Sequence, residues 1–181
     1  MKQLFFVVLF IMSFVYCSNN KNAIEQYSAL SAKFEKEEVK ESNGDYYLTT
    51  PLNWEFIEHE PYLDIIYVHS YKGDDNNVIQ IYKLTSDKDL KELNQSFVHS
   101  TETLLPTVNQ KVTVVDYGET DILKYHSYFC HASYPKPANN ETVSFMMKSK
   151  EEGVYYRLIA FGEKESMPML LQCLKTFEIL K

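Results

Sequence analysis

The sequence is short of arginine and glycine, and each shortage argues against a class of function. Arg157 is the only arginine among 18 basic and 25 acidic residues, and the formal net charge is −7. Nucleic acids and anionic lipid surfaces are bound by clustered Lys and Arg, so neither is an expected partner. Five scattered glycines are too few for a phosphate-binding loop.

Motifs of catalysis are also missing. The sequence contains no Gly-x-Ser-x-Gly nucleophile elbow and no His-Glu-x-x-His zinc motif. We therefore expect a protein that is not an enzyme and that carries no cofactor.

The longest apolar run, from Leu4 to Val15, is too short for a membrane-spanning helix, which needs about 20 apolar residues. Lys2 precedes the run, and a basic residue followed by a short apolar stretch is typical of a secretory signal. Cys17 follows the run, and residues 18–22 are polar.

A cysteine at the end of such a run resembles the lipoprotein signal of bacteria, and the relaxed motif resembles that of the Bacteroidota. The resemblance implies that residues 1–16 are removed, that Cys17 is acylated, and that the protein is anchored to an envelope membrane facing the periplasm. Tyr16 departs from the small residue usual at that position. The alternative is an ordinary signal peptide cleaved after Cys17.

Residues 17–45 are expected to form a lipidated tether. A short amphipathic helix is predicted within the tether from the helical spacing of four apolar residues, Ile24, Tyr27, Leu30 and Phe34. A charged run at residues 35–41 is expected to be solvated. The folded domain is expected to cover residues 46–181.

The domain alternates between strand and helix patterns. Short polar connections favour antiparallel neighbours, so the class is α+β with an antiparallel sheet flanked by helices. The run from Val154 to Phe161 is apolar on both faces and predicts a central strand. The predicted strands are Tyr46–Thr50, Trp54–Phe56, Tyr62–Tyr71, Val78–Leu84, Lys111–Tyr117, Ile122–Tyr134, Thr142–Ser149 and Val154–Phe161, with helices at Asp87–Leu105 and Glu165–Lys175.

Two short motifs carry a further resemblance. Residues 50–54 (Thr-Pro-Leu-Asn-Trp) and 174–179 (Leu-Lys-Thr-Phe-Glu-Ile), together with the late antiparallel strands, resemble PsbP-like domains. The resemblance implies an antiparallel sheet flanked by helices and a binding or assembly role without a shared catalytic residue set.

Three groups of residues invite a ligand or catalytic role, and each has a plainer explanation. His126, Cys130 and His131 could suggest a metal, but a regular strand places them too far apart or on opposite faces, and no metal site is predicted. Residues 74–77 (Asp-Asp-Asn-Asn) offer oxygen ligands that suit calcium, but they lack the spaced acidic pattern and closing Glu of a calcium loop, and a hairpin turn explains them without any ion. His59 lies between two glutamates that face away from it in an extended chain.

Cys130 and Cys173 could form a disulfide in an oxidising compartment, but we favour buried free thiols. Fourteen tyrosines, several in adjacent pairs, suggest a recognition surface if some rings are exposed. The leading hypothesis is an envelope lipoprotein that binds or helps to assemble another envelope protein. The alternative is a carrier of a small ligand or glycan that uses exposed tyrosines, and a periplasmic hydrolase is a third, weaker possibility.

Overall fold

The computed structural model describes residues 22–30, 37–42, 44–73, 76–104, 112–134 and 139–181. Ten strands and three helices occur in these residues, with a short 3₁₀ turn at Lys164–Ser166. In chain order they are α1 (Ala23–Ala29), β1 (Glu37–Ser42), β2 (Tyr46–Pro51), β3 (Glu55–His59), β4 (Ile65–Lys72), β5 (Val78–Thr85), α2 (Leu90–Leu104), β6 (Thr113–Thr120), β7 (Ser127–Tyr134), β8 (Asn140–Lys148), β9 (Val154–Glu163), α3 (Met167–Lys175) and β10 (Glu178–Ile179).

The strands form two antiparallel sheets. The larger has seven strands in the order β3-β4-β5-β9-β8-β7-β6, and the smaller has the order β1-β2-β10. Two meanders, β3–β5 and β6–β9, therefore meet where β5 pairs with β9. The predicted class, α+β with an antiparallel sheet flanked by helices, is confirmed.

The main core lies between one face of the large sheet and a layer made of α1, α3 and the small sheet. Tyr156, Leu158 and Ala160 of β9 point into it, as do Leu170 and other side chains of α3. β9 is a central strand, as its apolar run predicted; the main core covers one face, and the other face is covered in part. No helix among the described residues is both long and apolar enough to cross a bilayer.

A buried hydrogen-bond network joins the small sheet to the large one. The Tyr46 hydroxyl lies 2.9 Å from His69 Nδ1 and 2.7 Å from the Tyr71 hydroxyl, and Ser42 Oγ lies 3.1 Å from the same histidine nitrogen. The ring of Tyr67 stacks on His69 with a centroid separation of 4.2 Å. The hydroxyls of Ser42, Tyr46 and Tyr71 and the Nδ1 atom of His69 satisfy one another, which explains why these polar groups are tolerated there.

Two segments that were expected to lie in the tether pack onto the domain. Asn22 caps α1 by accepting a hydrogen bond from the Glu25 N–H at 2.8 Å, and Ile24 and Tyr27 enter the core. The charged run at residues 35–41 contributes to β1, which pairs with β2. Charged side chains are common on strands at the edge of a sheet, so a charged run is compatible with an edge strand as well as with a solvated loop. Packed structure therefore starts before residue 46.

The boundaries of the second half differ from the expected ones by a few residues. α2 begins at Leu90 because Asp89 Oδ1 accepts from the Glu92 N–H at 2.8 Å, so Asp89 caps the helix. β7 begins at Ser127, later than Ile122, because residues 122–125 bend.

Candidate functional site

A groove lies on the face of the large sheet that is opposite the main core. α2 packs against β6, β7 and β8 and leaves the same face of β5 and β9 partly open. Two adjoining cavities of about 830 Å³ and 370 Å³ lie there, and Phe97, Ser100 and Arg157 line both. Cavities of a few hundred cubic ångströms are the usual size for small ligands. We call the two cavities together the α2 groove.

The periodicity of α2 and of β9 explains why the residues that line the groove face one another. Phe97, Ser100 and Thr101 are three and four residues apart and face the sheet. Arg157 and Ile159 alternate with core residues of β9 and face the helix. The start of α2 is held by the Tyr155 hydroxyl, which donates to the Lys88 carbonyl at 2.7 Å.

Arg157 is the central polar group of the α2 groove. Its Cζ lies 3.2 Å from the centroid of the Phe97 ring and 5.5 Å from that of Tyr82. Its Nε is buried and has no acceptor among the described residues, none of which forms an ion pair or hydrogen bond with its guanidinium. Burial lowers the pKa of Arg157 to about 10, so the group stays charged at neutral pH.

Cys130 lines the smaller cavity, where burial raises the pKa of its thiol to about 11. It is therefore protonated at neutral pH and is a poor nucleophile. Burial likewise raises the pKa of Cys173 to about 12. Both cysteines are buried free thiols, in agreement with the interpretation favoured from the sequence.

A second polar cluster lies beneath α1, on the core side of the sheet. The Tyr27 hydroxyl donates to Glu141 Oε2 at 2.7 Å, and His131 Nε2 lies 2.9 Å from the same oxygen. Burial alone would raise the pKa of the Glu141 carboxyl, but hydrogen bonds from His131 and Tyr27 hold it below its ordinary value. All three residues are buried, so this cluster supports α1 and offers no access to a substrate.

The three suspected metal ligands are dispersed. His126 is exposed, with Nδ1 3.2 Å from Asp121, while Cys130 faces the α2 groove and His131 faces the core. Within the described ranges, no three His, Cys, Asp or Glu side chains are placed to hold a metal ion. Asp74 and Asp75, the calcium candidates, lie outside the described residues, as does Cys17.

His59 does not form a site with its neighbouring glutamates. Its Nε2 lies 2.8 Å from Ser70 Oγ, whereas Glu58 points to the other face of β3, with Oε1 3.9 Å from His69 Nε2. The opposite directions follow from the alternation of side chains along a strand.

The tyrosines of the described residues are dispersed and do not form one exposed surface. Tyr46, Tyr155 and Tyr156 are buried, Tyr134 lines the smaller cavity, and Tyr125 and Tyr128 line a separate cavity near the start of α2. The most exposed of the described tyrosines, Tyr62 at 57% and Tyr117 at 55%, line neither cavity of the groove. From the sequence, Arg157 was counted among the charges and placed in the last predicted strand, but it was not identified as a site residue. The signal that could have identified it is its position, because it is the one charged residue in the apolar run from Val154 to Phe161.

No protein-family model matches the sequence, and no curated protein matches it significantly. Comparison with solved structures does find similar folds. The solution structure of cyanobacterial PsbP (CyanoP) from Synechocystis sp. PCC 6803 aligns with a TM-score of 0.58 at 10% identity, covering 83% of this chain and 98% of that one.

Two structures of Mog1 are also similar. A point mutant of protein Mog1 aligns with a TM-score of 0.52 at 15% identity, over 81% of this chain and 97% of that one. The Ran-binding protein Mog1p of Saccharomyces cerevisiae aligns with a TM-score of 0.50 at 16% identity, over 81% and 96%. Identities this low show the fold alone. The chain therefore has a PsbP-like fold, as the resemblance of its sequence implied.

Proposed function

We propose that this protein is a non-enzymatic binding protein of the bacterial cell envelope that holds its ligand in the α2 groove. The observation that carries the proposal is the unpaired Arg157 at the centre of a concave site. The fold is consistent with a binding role, since one solved protein that shares it is a Ran-binding protein. Concavity favours a small ligand over the protein partner that was the leading hypothesis from the sequence.

The groove can be tested by filling it. Ser100 lines both cavities, whereas the adjacent His99 is exposed on the same helix. Protein purified without denaturation from the membranes of its own organism should carry a small-molecule adduct in native mass spectrometry. Ser100→Phe should remove the adduct and His99→Phe should retain it, because only the first ring enters the groove. An adduct that persists in Ser100→Phe would contradict the proposal.

A protein partner is the second candidate, and a specific patch favours it. Tyr62 and Leu63 in the turn between β3 and β4, and Ile66 at the start of β4, expose apolar side chains, with Leu63 95% exposed. Exposed apolar clusters of this kind are common at interaction sites. If the same purification yields a protein that is lost with Leu63→Asp and retained with Ser100→Phe, the patch and not the groove is the binding site.

The anchor is a separate part of the proposal. We propose that Cys17 carries the lipid that holds the protein at the membrane, since two or more acyl chains bind a bilayer almost permanently. Cys17→Ala is expected to move the protein from the membrane fraction to the soluble fraction and to remove the acyl mass from the intact protein. Ser18→Ala should leave both unchanged. Equal partitioning of Cys17→Ala and the unmodified sequence would contradict the anchor.

A further inference from the structure

The class of ligand can be inferred from what Arg157 lacks. Its guanidinium is stacked on Phe97, and no described residue offers it a carboxylate or a hydrogen-bond acceptor. Arg157 is half-buried, and the hydration that its buried Nε–H has lost is not replaced by any described residue, which is unfavourable. An anion supplied from outside would complete the missing hydrogen bonds.

The guanidinium of Arg157 limits the kinds of anion that would bind well. Apart from the five histidines, every other basic residue in the chain is a lysine. Arg157 is therefore the one side chain that carries a planar guanidinium. A guanidinium presents a rigid fork of N–H donors that matches the two oxygens of a carboxylate, and it stacks on aromatic rings. In the smaller cavity no second cation among the described residues lies beside Arg157, which suits a ligand with a single negative charge.

The lining of the smaller cavity indicates the chemistry of the rest of the ligand. Its apolar lining includes Ala132, Ile159 and Phe161, and among the described residues that line it Arg157 alone is charged. The larger cavity carries three acidic residues, Asp64, Asp87 and Glu152, against one lysine, Lys88, whose Nζ donates to Ser96 Oγ at 3.0 Å. A ligand with more than one negative charge would be repelled there, whereas an apolar body is accommodated in the smaller cavity.

We propose that Arg157 receives the carboxylate of a compact acid whose apolar body, aromatic or aliphatic, occupies the smaller cavity beside Ile159 and Phe161. This inference rests on the proposed binding function of the α2 groove and adds the chemistry of its ligand. Arg157 sets the specificity for an acid over its neutral analogue, and the cavity sets the size of the body.

The test uses the full chain, carrying isotopically labelled arginine and held in nanodiscs. Since Arg157 is the only arginine, the spectrum contains one arginine Nε–H signal. Phenylacetate should shift this signal with saturation, and phenylacetamide, its uncharged analogue, should bind about tenfold or more weakly by calorimetry, the value of a charged hydrogen-bond pair. Acetate, which lacks the apolar body, should not saturate.

Variants distinguish two hypotheses: that the ligand is a carboxylic acid, and that the α2 groove is the binding site. Arg157→Lys keeps the charge but loses the fork, so binding of phenylacetate should weaken about tenfold, while binding of phenylacetamide should change little. Equal affinity for acid and amide, both abolished by Ser100→Phe, would overturn the acid assignment and leave the groove function standing. Binding of phenylacetate that survives Ser100→Phe would overturn both, and no binding at millimolar concentration would overturn the ligand class.

Discussion

Glu141→Ala is expected to lower the free energy of unfolding by about 3 kcal/mol. Glu141 is the shared acceptor for Tyr27 and His131, and all three side chains are buried between α1 and the sheet. Removing the carboxylate leaves two buried polar groups without a partner. The measurement is equilibrium unfolding in denaturant. Glu163→Ala, at an exposed site on the neighbouring strand β9, is the control and should change stability by less than about 0.5 kcal/mol.

The same carboxylate predicts a dependence on pH. Because its pKa is lower in the folded state than in the unfolded state, its contribution is complete above the unfolded pKa of about 4.3 and is lost as the pH falls through the folded pKa. Glu141→Gln removes the titration, so its stability should fall less on acidification than that of the unmodified protein. Parallel pH profiles would show that Glu141 does not stabilise the contact of α1 with the sheet.

Arg157→Met is expected to raise the free energy of unfolding by about 1 to 2 kcal/mol. Methionine has a similar reach, requires no hydration, and can contact the Phe97 ring through its sulfur, which replaces part of the cation–π contact. Arg157→Lys retains a charge in the same place and gives no such gain. A residue that weakens the fold and is nevertheless present is typical of a binding site.

Much of the fold could be predicted from the sequence because local patterns and tertiary packing agree. The run from Val154 to Phe161 is apolar on both faces, and β9 is central, with the main core on one face and α2 over part of the other. The helical spacing of apolar residues from Leu90 to Thr101 predicted α2, and the apolar stripe around Leu170 predicted α3. The short polar connections predicted antiparallel pairing, which every strand pair shows.

The start of the packed domain was harder to predict for a physical reason. Residues 37–42 are mostly charged, and their pairing with β2 depends on backbone hydrogen bonds that leave no pattern in the side chains. α1 is short, and its position depends on Tyr27 reaching Glu141, which is 114 residues away in the sequence. Contacts this distant cannot be found by periodicity.

The candidate site could not be predicted because it depends on which surface remains uncovered. The sequence shows that Arg157 lies in a central strand but not which part of that face α2 covers. The groove exists because α2 packs against β6, β7 and β8 and leaves β5 and β9 partly open, so Arg157 lies at the edge of the covered area. Only the packing of α2 against the sheet shows that the guanidinium has no partner.

The central claim is that Arg157 is present to bind a ligand and not to hold the fold together. The most direct measurement is the free energy of unfolding of Arg157→Met, with Arg157→Lys as the matched control, in ligand-free protein. If Arg157 serves to bind a ligand, Arg157→Met is more stable than the unmodified protein and Arg157→Lys is not. A loss of 1 kcal/mol or more in Arg157→Met, the size expected when a structural contact is removed, would contradict it.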